Sequence, residues 1–216
     1  MGHAGAAAAA VRYLRSAGAP APVEALPRPE LRSVREDERA PVDQAAFRHV
    51  LGQFATGVTV ITAPAADGED GPAGFACQSF SSLSLDPPLV AFMVGRTSTT
   101  WPRIARAGVF CVNVLAADQA ELCRGFAVSG GEKFAGVDHE PAPFSGSPRL
   151  AGAVAWIDCA IHAVHTGGDH LIVVGRVGAL GTGEREDTPP LLFHQGRFRQ
   201  DARRSPVEER RRGPRE

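Results

Sequence analysis

A row of hydrogen-bonding side chains is the first candidate for chemistry in this sequence. The stretch GFACQSFSSLSLDPPLV, residues 74–90, would place Phe75, Cys77, Leu83 and Leu85 on one face of a strand, toward a core. The other face carries small or polar residues: Gly74, Ala76, Gln78, Ser82 and Ser84. With Ser79, this surface suits a flat heteroaromatic ring with carbonyl and N–H edges, although a solvent-facing polar strand fits equally well. Phe80 interrupts the polar face and predicts a bulge or bend between Ser79 and Ser82.

Two further segments offer polar groups at the ends of predicted elements. Ser98, Thr99 and Thr100 precede a predicted helix, so they could hold a phosphate on free N–H groups or simply cap the helix. Asp169 and His170 close the segment TGGDH, whose glycines allow a tight turn that presents the imidazole at the start of a strand. A histidine there is often only a polar end group, so the dipeptide alone does not predict catalysis.

The sequence lacks the motifs of several common enzyme classes. The sequence contains no GxSxG, HExxH, GxGxxG or GxxxxGK[ST] motif and no identifiable pair of catalytic carboxylates. The net charge of −1 gives no reason to expect nucleic acid as a partner, and no apolar run approaches the roughly 20 residues that span a bilayer. The four cysteines lack CxxC spacing and follow no secretory signal, which predicts free buried thiols rather than disulfides or a metal site. We therefore expect a cytoplasmic protein that acts on a small molecule or another protein.

The elements that must position these residues are mostly short strands. Six or seven β-rich runs are separated by Gly, Pro and Asp, and three short helices are expected near residues 43–54, 101–107 and 118–126. The first helix is capped by Asp43 and carries an apolar stripe that should lie on a core: Phe47, Val50, Leu51 and Phe54. Residues 129–149 are expected to form a long loop.

The order of these elements favours a mainly β fold. No strand is followed by a long helix that could return the chain parallel to it, which argues against a doubly wound sheet. A closed antiparallel barrel with helices outside removes the exposed strand edges. Residues 1–40 are predicted to be a disordered extension and residues 201–216 a charged flexible tail, on either side of one domain over residues 41–200.

Seven segments, taken in order, resemble the flavin reductase-like family, the small reductase components of two-component flavin monooxygenases. They are FRHVLGQFATGVTVIT, GFACQSFSSLSLDPPLVAF, RTSTTWPRI, GVFCVNVL, EKFAGVD, GGDHLIVVGRV and PLLFHQGRF, spanning residues 47–198. The resemblance implies a six-stranded antiparallel split β-barrel of Greek-key, FMN-binding type, with short flanking helices, that forms a homodimer.

The resemblance also implies the ligands and the residues that hold them. The protein would bind FAD or FMN and reduce it with NADH or NADPH, FAD and NADH being favoured. Flavin contacts carry over to Ala76, Cys77, Gln78, Ser79, Ser82, Ser84, Ser98, Thr100, Lys133 and Phe134. Nicotinamide contacts carry over to Gly168, Asp169, His170, Arg197 and Phe198, with His170 as the catalytic-site residue that orients the nicotinamide. Arg96 departs from the family pattern, in which Asn is common at this position of the phosphate segment.

Three functions stay open at this point. The leading one is an NAD(P)H:flavin oxidoreductase that supplies reduced flavin to a separate monooxygenase. The alternative is a non-catalytic flavin carrier or redox sensor on the same barrel, which has no need of the intact GGDH segment. An enzyme with tightly bound FMN that reduces its own small substrate is the third, weakened because the chain has no additional substrate domain.

Overall fold

The computed structural model describes residues 42–184 and 188–199. Its helices are α1 (Gln44–Leu51), α2 (Trp101–Ala107) and α3 (Ala120–Ala127). Its strands are β1 (Thr56–Gly57), β2 (Thr59–Ala63), β3 (Ala73–Cys77), β4 (Ser81–Leu85), β5 (Pro88–Gly95), β6 (Val109–Val114), β7 (His139–Pro141), β8 (Pro148–Leu150), β9 (Ala155–Gly167), β10 (His170–Thr182), β11 (Leu192–His194) and β12 (Arg197–Arg199). The predicted extension over residues 1–40 and the predicted tail over residues 201–216 lie outside the described residues.

Seven strands form the main antiparallel sheet, in the order β3-β2-β6-β9-β10-β5-β4. Its edge strands, β3 and β4, are consecutive in the chain and are joined by residues 78–80 alone, so the sheet must curl until its two edges approach. No backbone ladder joins β3 to β5 among the described residues, and this gap is called the open seam below. The mainly β, antiparallel prediction is confirmed, whereas the closed six-stranded barrel is not, because seven strands pair and the seam interrupts them.

Aromatic side chains hold α2 and the sheet together. The ring of Phe92 on β5 contacts the rings of Phe110 and Trp101 edge to face, with centroids 5.1 and 6.2 Å apart. Such contacts contribute about 0.5–1.5 kcal/mol each beyond the burial of area. Gly108, with φ of 69°, ends α2 in the left-handed conformation that glycine tolerates, so this helix begins and ends where the sequence predicts.

The first helix is correctly predicted, but its packing is not. Asp43 caps α1 by accepting a hydrogen bond from the Ala46 N–H at 2.9 Å. The apolar stripe does not lie on the core, because Phe47, Val50 and Leu51 are more than half exposed and Phe54 is 77% exposed. None of the helices within the described ranges has the length and hydropathy of a membrane span.

The stretch after β3 is also partly corrected. The predicted break is confirmed, since β3 ends at Cys77, β4 begins at Ser81, and Phe80 between them packs against the core. A register shift follows between Ser82 and Ser84. The expected core packing of Leu83 and Leu85 is wrong, because the break starts a new strand that leaves them 55% and 87% exposed.

The segment over residues 129–149 is not entirely a loop. It contains β7 and the start of β8, which pair with each other as a short antiparallel ribbon. The β11–β12 hairpin forms a separate three-stranded sheet with β1. These two small sheets account for strands that do not belong to the main sheet.

Candidate ligand-binding site

Three adjoining cavities run along the open seam. The central cavity, of about 650 Å³, is bordered by β3, the loop before α2, α3 and the β11–β12 hairpin. A helix-side cavity of about 940 Å³ beside α1 shares four lining residues with it: Gln78, Ser79, His170 and Phe193. A loop-side cavity of about 420 Å³ shares three: Thr99, Thr100 and Lys133. The shared lining makes the three cavities one cleft.

Strand β3 lines the central cavity with its free edge. The carbonyl of Gly74 accepts a hydrogen bond from Lys133 Nζ at 3.2 Å, on the edge away from β2. Since backbone groups alternate in direction along a strand, Ala76 turns its N–H and C=O toward the same free edge, where a flat ligand can pair with them. Although Gly74 belongs to the face predicted to receive a flat ligand, it leaves no room for one, because a Cβ there would lie 2.8 Å from the Phe126 ring, which already fills that space.

Three consecutive residues at the seam differ in what their side chains do: Cys77, Gln78 and Ser79. The side-chain amide of Gln78 is exposed and has no hydrogen-bond partner within the described part of the chain, so it is available to a ligand. The hydroxyl of Ser79 is already used, because it donates to the Met93 carbonyl and accepts from the Met93 N–H, both at 2.9 Å. Burial raises the pKa of the Cys77 thiol, which therefore stays protonated and brings no charge to the site.

The loop before α2 caps the helix and also leaves backbone N–H groups without an acceptor in the described structure. Ser98 Oγ accepts a hydrogen bond from the Trp101 N–H at 3.2 Å and so caps the helix, whereas Thr100 makes no side-chain cap. The backbone N–H groups of Thr97, Thr99 and Thr100 find no acceptor among the residues that the structure describes. All three residues line the central cavity, so this loop offers several donors to an anion.

Lys133, the only lysine of the chain, lies where the central and loop-side cavities meet. Its Nζ donates to the carbonyls of Gly74 and Phe126, each at 3.2 Å, and burial lowers the pKa of the ammonium group. Over residues 42–184 and 188–199 no carboxylate pairs with it, so its charge is uncompensated there. Phe134 packs edge to face on Phe126 and lines the loop-side cavity.

The turn between β9 and β10 carries three of the five predicted nicotinamide residues and brings two of them, Asp169 and His170, to the cleft. Gly168 occupies this turn with φ of 67°, which favours glycine. The Asp169 carboxylate lies 2.8 Å from His170 Nδ1, and this hydrogen bond holds the pKa of Asp169 below its usual value. The Arg96 N–H donates to the Asp169 carbonyl at 3.0 Å, which ties the turn to the loop before α2. His170 thereby lines both the central and the helix-side cavity.

The structure brings most, but not all, of the predicted residues to the cleft. Phe198 lines the central cavity beside Phe193, with ring centroids 5.4 Å apart. Four predicted residues do not line the three cavities, and their contacts stay predictions: Ser82, Ser84, Gly168 and Arg197. Sequence reasoning missed Phe193, and it placed Phe47 and Phe54 in a core although they line the helix-side cavity. The sequence signal that could have identified Phe47 and Phe54 as cavity residues was the apolar stripe of α1.

The groups along the cleft are suited to one kind of ligand. A strand edge and a free amide face a flat space, while unpaired N–H groups and an ammonium lie at one end of it. Among the described residues there is no cluster of three or more His, Cys, Asp or Glu that could hold a metal ion. The arrangement fits an aromatic ring system that carries a phosphate, with a second ligand beside His170.

Comparisons with known proteins cover the same part of the chain. The model of the flavin reductase like domain matches residues 51–201. Over 158 residues the chain is 50% identical to HsaB, the reductase subunit of a flavin-dependent monooxygenase from Rhodococcus jostii strain RHA1. That match covers 73% of this chain and 77% of the relative.

Two solved structures share the fold. A homologue of nitrilotriacetate monooxygenase component B from Mycobacterium thermoresistibile is 44% identical, with a TM-score of 0.69, covering 81% of this chain and 92% of that one. The NADH:FAD oxidoreductase of Streptomyces globisporus, in complex with NAD and FAD fragments, is 39% identical, with a TM-score of 0.69, covering 76% and 95%.

Proposed function

This chain belongs to the flavin reductase-like domain family, and on that premise we propose that it is an NAD(P)H:flavin oxidoreductase. It reduces FAD or FMN by hydride transfer and supplies the reduced flavin to a separate flavin-dependent monooxygenase. The Rhodococcus relative is named as the reductase subunit of such a monooxygenase. The observation that carries the proposal is the single cleft that holds the Ala76 edge, the donor loop and His170. FAD and NADH are the preferred pair, in keeping with the Streptomyces oxidoreductase.

The residues of the cleft fit a flavin. The free backbone edge at Ala76 and the amide of Gln78 match a ring with carbonyl and N–H groups along one side. The N–H groups of the loop before α2 suit its phosphate, and Lys133 adds a positive charge at the same end. When bound, the flavin supplies the redox chemistry, because it accepts a hydride from the dihydronicotinamide ring.

The chain itself contributes position and electrostatics. It must hold the two rings about 3–3.5 Å apart in one orientation, which requires no general base. His170, held by Asp169, orients the nicotinamide carboxamide or the pyrophosphate through a hydrogen bond. The Ala76 N–H provides positive potential where negative charge develops on the ring on reduction. Phe193 and Phe198 form an apolar wall that keeps water out of the central cavity.

We propose further that residues 41–200 form a split β-barrel domain and that two chains assemble as a homodimer in the cytoplasm. Monomeric soluble proteins rarely expose large contiguous apolar patches, and here large apolar side chains are exposed on four strands of the main sheet. They are Leu83 and Leu85 on β4, Met93 on β5, Val164 on β9 and Leu180 on β10. A second copy of the chain would cover them, and sedimentation at micromolar concentration tests this assembly.

One assay tests the proposed function. The full-length protein is mixed with NADH or NADPH and with FAD, FMN or riboflavin, and the loss of nicotinamide absorbance is followed. We expect flavin-dependent oxidation that is fastest with NADH and FAD. Absence of oxidation with every pair rejects the proposal. Quenching of flavin fluorescence without oxidation would instead support the carrier or sensor, which has no use for His170 at the cavity.

A further inference from the structure

We propose that Ser79 is a positioning residue whose hydroxyl joins the two sides of the open seam and sets the distance between the flavin strand and the nicotinamide hairpin. The proposal rests on the proposed function, because it concerns how the two ligands meet. It assigns Ser79 no contact with either ligand.

The two hydrogen bonds of the Ser79 hydroxyl have the same pattern as a backbone pairing between strands. A hydroxyl has one proton to donate and two lone pairs to accept with. Ser79 Oγ donates to the Met93 carbonyl and accepts from the Met93 N–H, both at 2.9 Å. Two residues that face each other in an antiparallel ladder exchange the same pair of bonds through their backbones. Ser81 pairs with Ala91 in the β4–β5 ladder. Ser79 and Met93 lie two residues further along the same register, so one side chain adds a rung to that ladder beside the end of β3.

The chain has no other backbone rung at this place. β3 pairs only with β2, and β4, which follows the bend, pairs only with β5. The Cys77 Sγ lies 3.3 Å from Ser79 Oγ and 3.9 Å from the Met93 carbonyl oxygen, so the thiol adds a weaker contact across the seam. Within the described ranges, the hydroxyl of Ser79 is thus the principal polar link between the end of β3 and β5.

This link lies beside both proposed ligand positions. Met93 is two residues before Gly95, and Gly95 pairs with His170 on β10. Gln78 lies between Cys77 and Ser79, and like His170 it lines both the central and the helix-side cavity. Fixing Ser79 on β5 therefore fixes Gln78 and the Ala76 edge relative to His170. A misplacement of 1 Å between reacting groups can lower a rate by about a hundredfold.

The experiment compares three substitutions in the full-length protein. Ser79→Ala removes the hydroxyl, Ser79→Thr keeps it, and Ser81→Ala is the matched control, because the exposed Ser81 hydroxyl donates only to the carbonyl of its neighbour Ser82. Two quantities are measured for each: the single-turnover rate of hydride transfer with FAD and NADH both saturating, and the exchange rate of the Met93 amide by NMR.

We expect Ser79→Ala to lower the saturated rate by about tenfold or more and to speed exchange of the Met93 amide by about tenfold, since the Met93 N–H loses its acceptor and the hydroxyl link to β5 is lost. For Ser79→Thr, the saturated rate and the Met93 exchange rate should both stay within about threefold of the unmodified protein. Ser81→Ala should match the unmodified protein in both rates. If Ser79→Ala does not fold, Ser79→Cys, which keeps the size and weakens both bonds, takes its place.

Two results of the rate measurement would overturn the proposal, and a third result concerns the exchange measurement alone. One is faster Met93 exchange in Ser79→Ala with an unchanged saturated rate, which would make the link purely structural. The other is a loss of rate that Ser79→Thr does not restore. If the unmodified protein reduces no flavin at all, the proposed function fails, while unchanged Met93 exchange in Ser79→Ala would still reject the link by itself.

Discussion

At the centre of the main sheet, Asn113 uses its side-chain amide on four partners, whereas Gln78 at the open seam has none among the described residues. Asn113 is fully buried and donates to the Val60 and Pro148 carbonyls and to Thr62 Oγ1, while its Oδ1 accepts from the Leu150 N–H at 2.8 Å. Each buried polar group that is left unpaired costs about 1–3 kcal/mol, which accounts for this complete pairing.

The same contrast holds for charged groups. Buried Asp158 accepts hydrogen bonds from the N–H groups of Phe144 and Ser145, at 2.9 and 3.0 Å. Lys133 in the cleft reaches only two carbonyls and no carboxylate within the described part of the chain. Polar groups that the chain satisfies by itself build the fold, and polar groups that it leaves open at the rim of a cavity indicate a ligand.

The largest effect on stability should come from the centre of the main sheet, where the buried polar groups are hydrogen-bonded. Replacing Asn113→Ala leaves several buried donors and acceptors unpaired and should lower the free energy of unfolding by about 4 kcal/mol. FAD affinity of the remaining folded protein should not change, because Asn113 lies outside the cleft. Denaturant unfolding and fluorescence titration measure the two quantities. A variant that unfolds normally but binds flavin poorly would contradict the division.

Alkaline pH should destabilise the same region. Burial, and secondarily the charge of Asp158, raises the pKa of the Cys111 thiol to about 12, and burial likewise raises the pKa of Cys159 to about 12. A raised pKa stabilises the fold below the ordinary thiol value and loses that contribution as the pH rises toward 12. Two such thiols should lower the free energy of unfolding by about 3 kcal/mol between pH 8 and pH 10.

A double variant provides the control for this pH dependence. Cys111→Ala with Cys159→Ala should show a flatter loss of stability over the same pH range, whatever its stability at pH 7. The midpoint of denaturant unfolding is recorded at each pH. An equally steep loss in the double variant would show that other groups cause it.

A smaller effect is expected at Lys133, whose ammonium has no carboxylate partner among the described residues. Lys133→Met should weaken FAD binding by about tenfold, because a charge-assisted hydrogen bond to the ligand is lost. Lys133→Arg keeps the charge and should retain most of the affinity. Since Lys133 is half-exposed, its removal should barely shift the melting temperature. Equal FAD affinity in the Met variant and the unmodified protein would exclude a role in binding.

The smallest effect is expected at His170, at the rim of the cleft. His170→Ala should raise the KM for NADH by about fivefold, the equivalent of one hydrogen bond, and change flavin affinity by less than about twofold. Steady-state kinetics with each substrate varied in turn separate the two quantities. An unchanged KM for NADH would remove His170 from the nicotinamide site.

Much of the fold follows from sequence pattern, because local chemistry determines it. Asp43 and Gly108 mark helix boundaries through a side-chain cap and a left-handed conformation, and the β-branched runs mark the strands. Phe80 predicts the break after β3, because a large residue on a polar face is inconsistent with a regular strand. These signals depend on a few neighbouring residues and need no knowledge of the tertiary structure.

The parts that pattern could not predict depend on distant contacts. Periodicity identifies the stripe of α1 as apolar, but it cannot say whether Phe47 and Phe54 meet a core or border a cavity. The small size of Gly74 indicates close approach, and only the structure shows that the Phe126 ring is what approaches. Likewise, a serine hydroxyl that replaces a rung on Met93, fourteen residues away, has no local signature. The predicted site residues depend on family resemblance, and the cleft brings most of them together.

Hydrogen–deuterium exchange of the full-length protein, with and without FAD, tests the location of the site most directly. We predict slower exchange with FAD in fragments that contain residues 74–80 and 97–101, and further slowing near residues 167–171 when NAD⁺ is added. Fragments around the separate cavity lined by Arg149 and Trp156 should not change. Protection confined to that cavity, or flavin binding without protection of residues 74–80 and 97–101, would contradict the account.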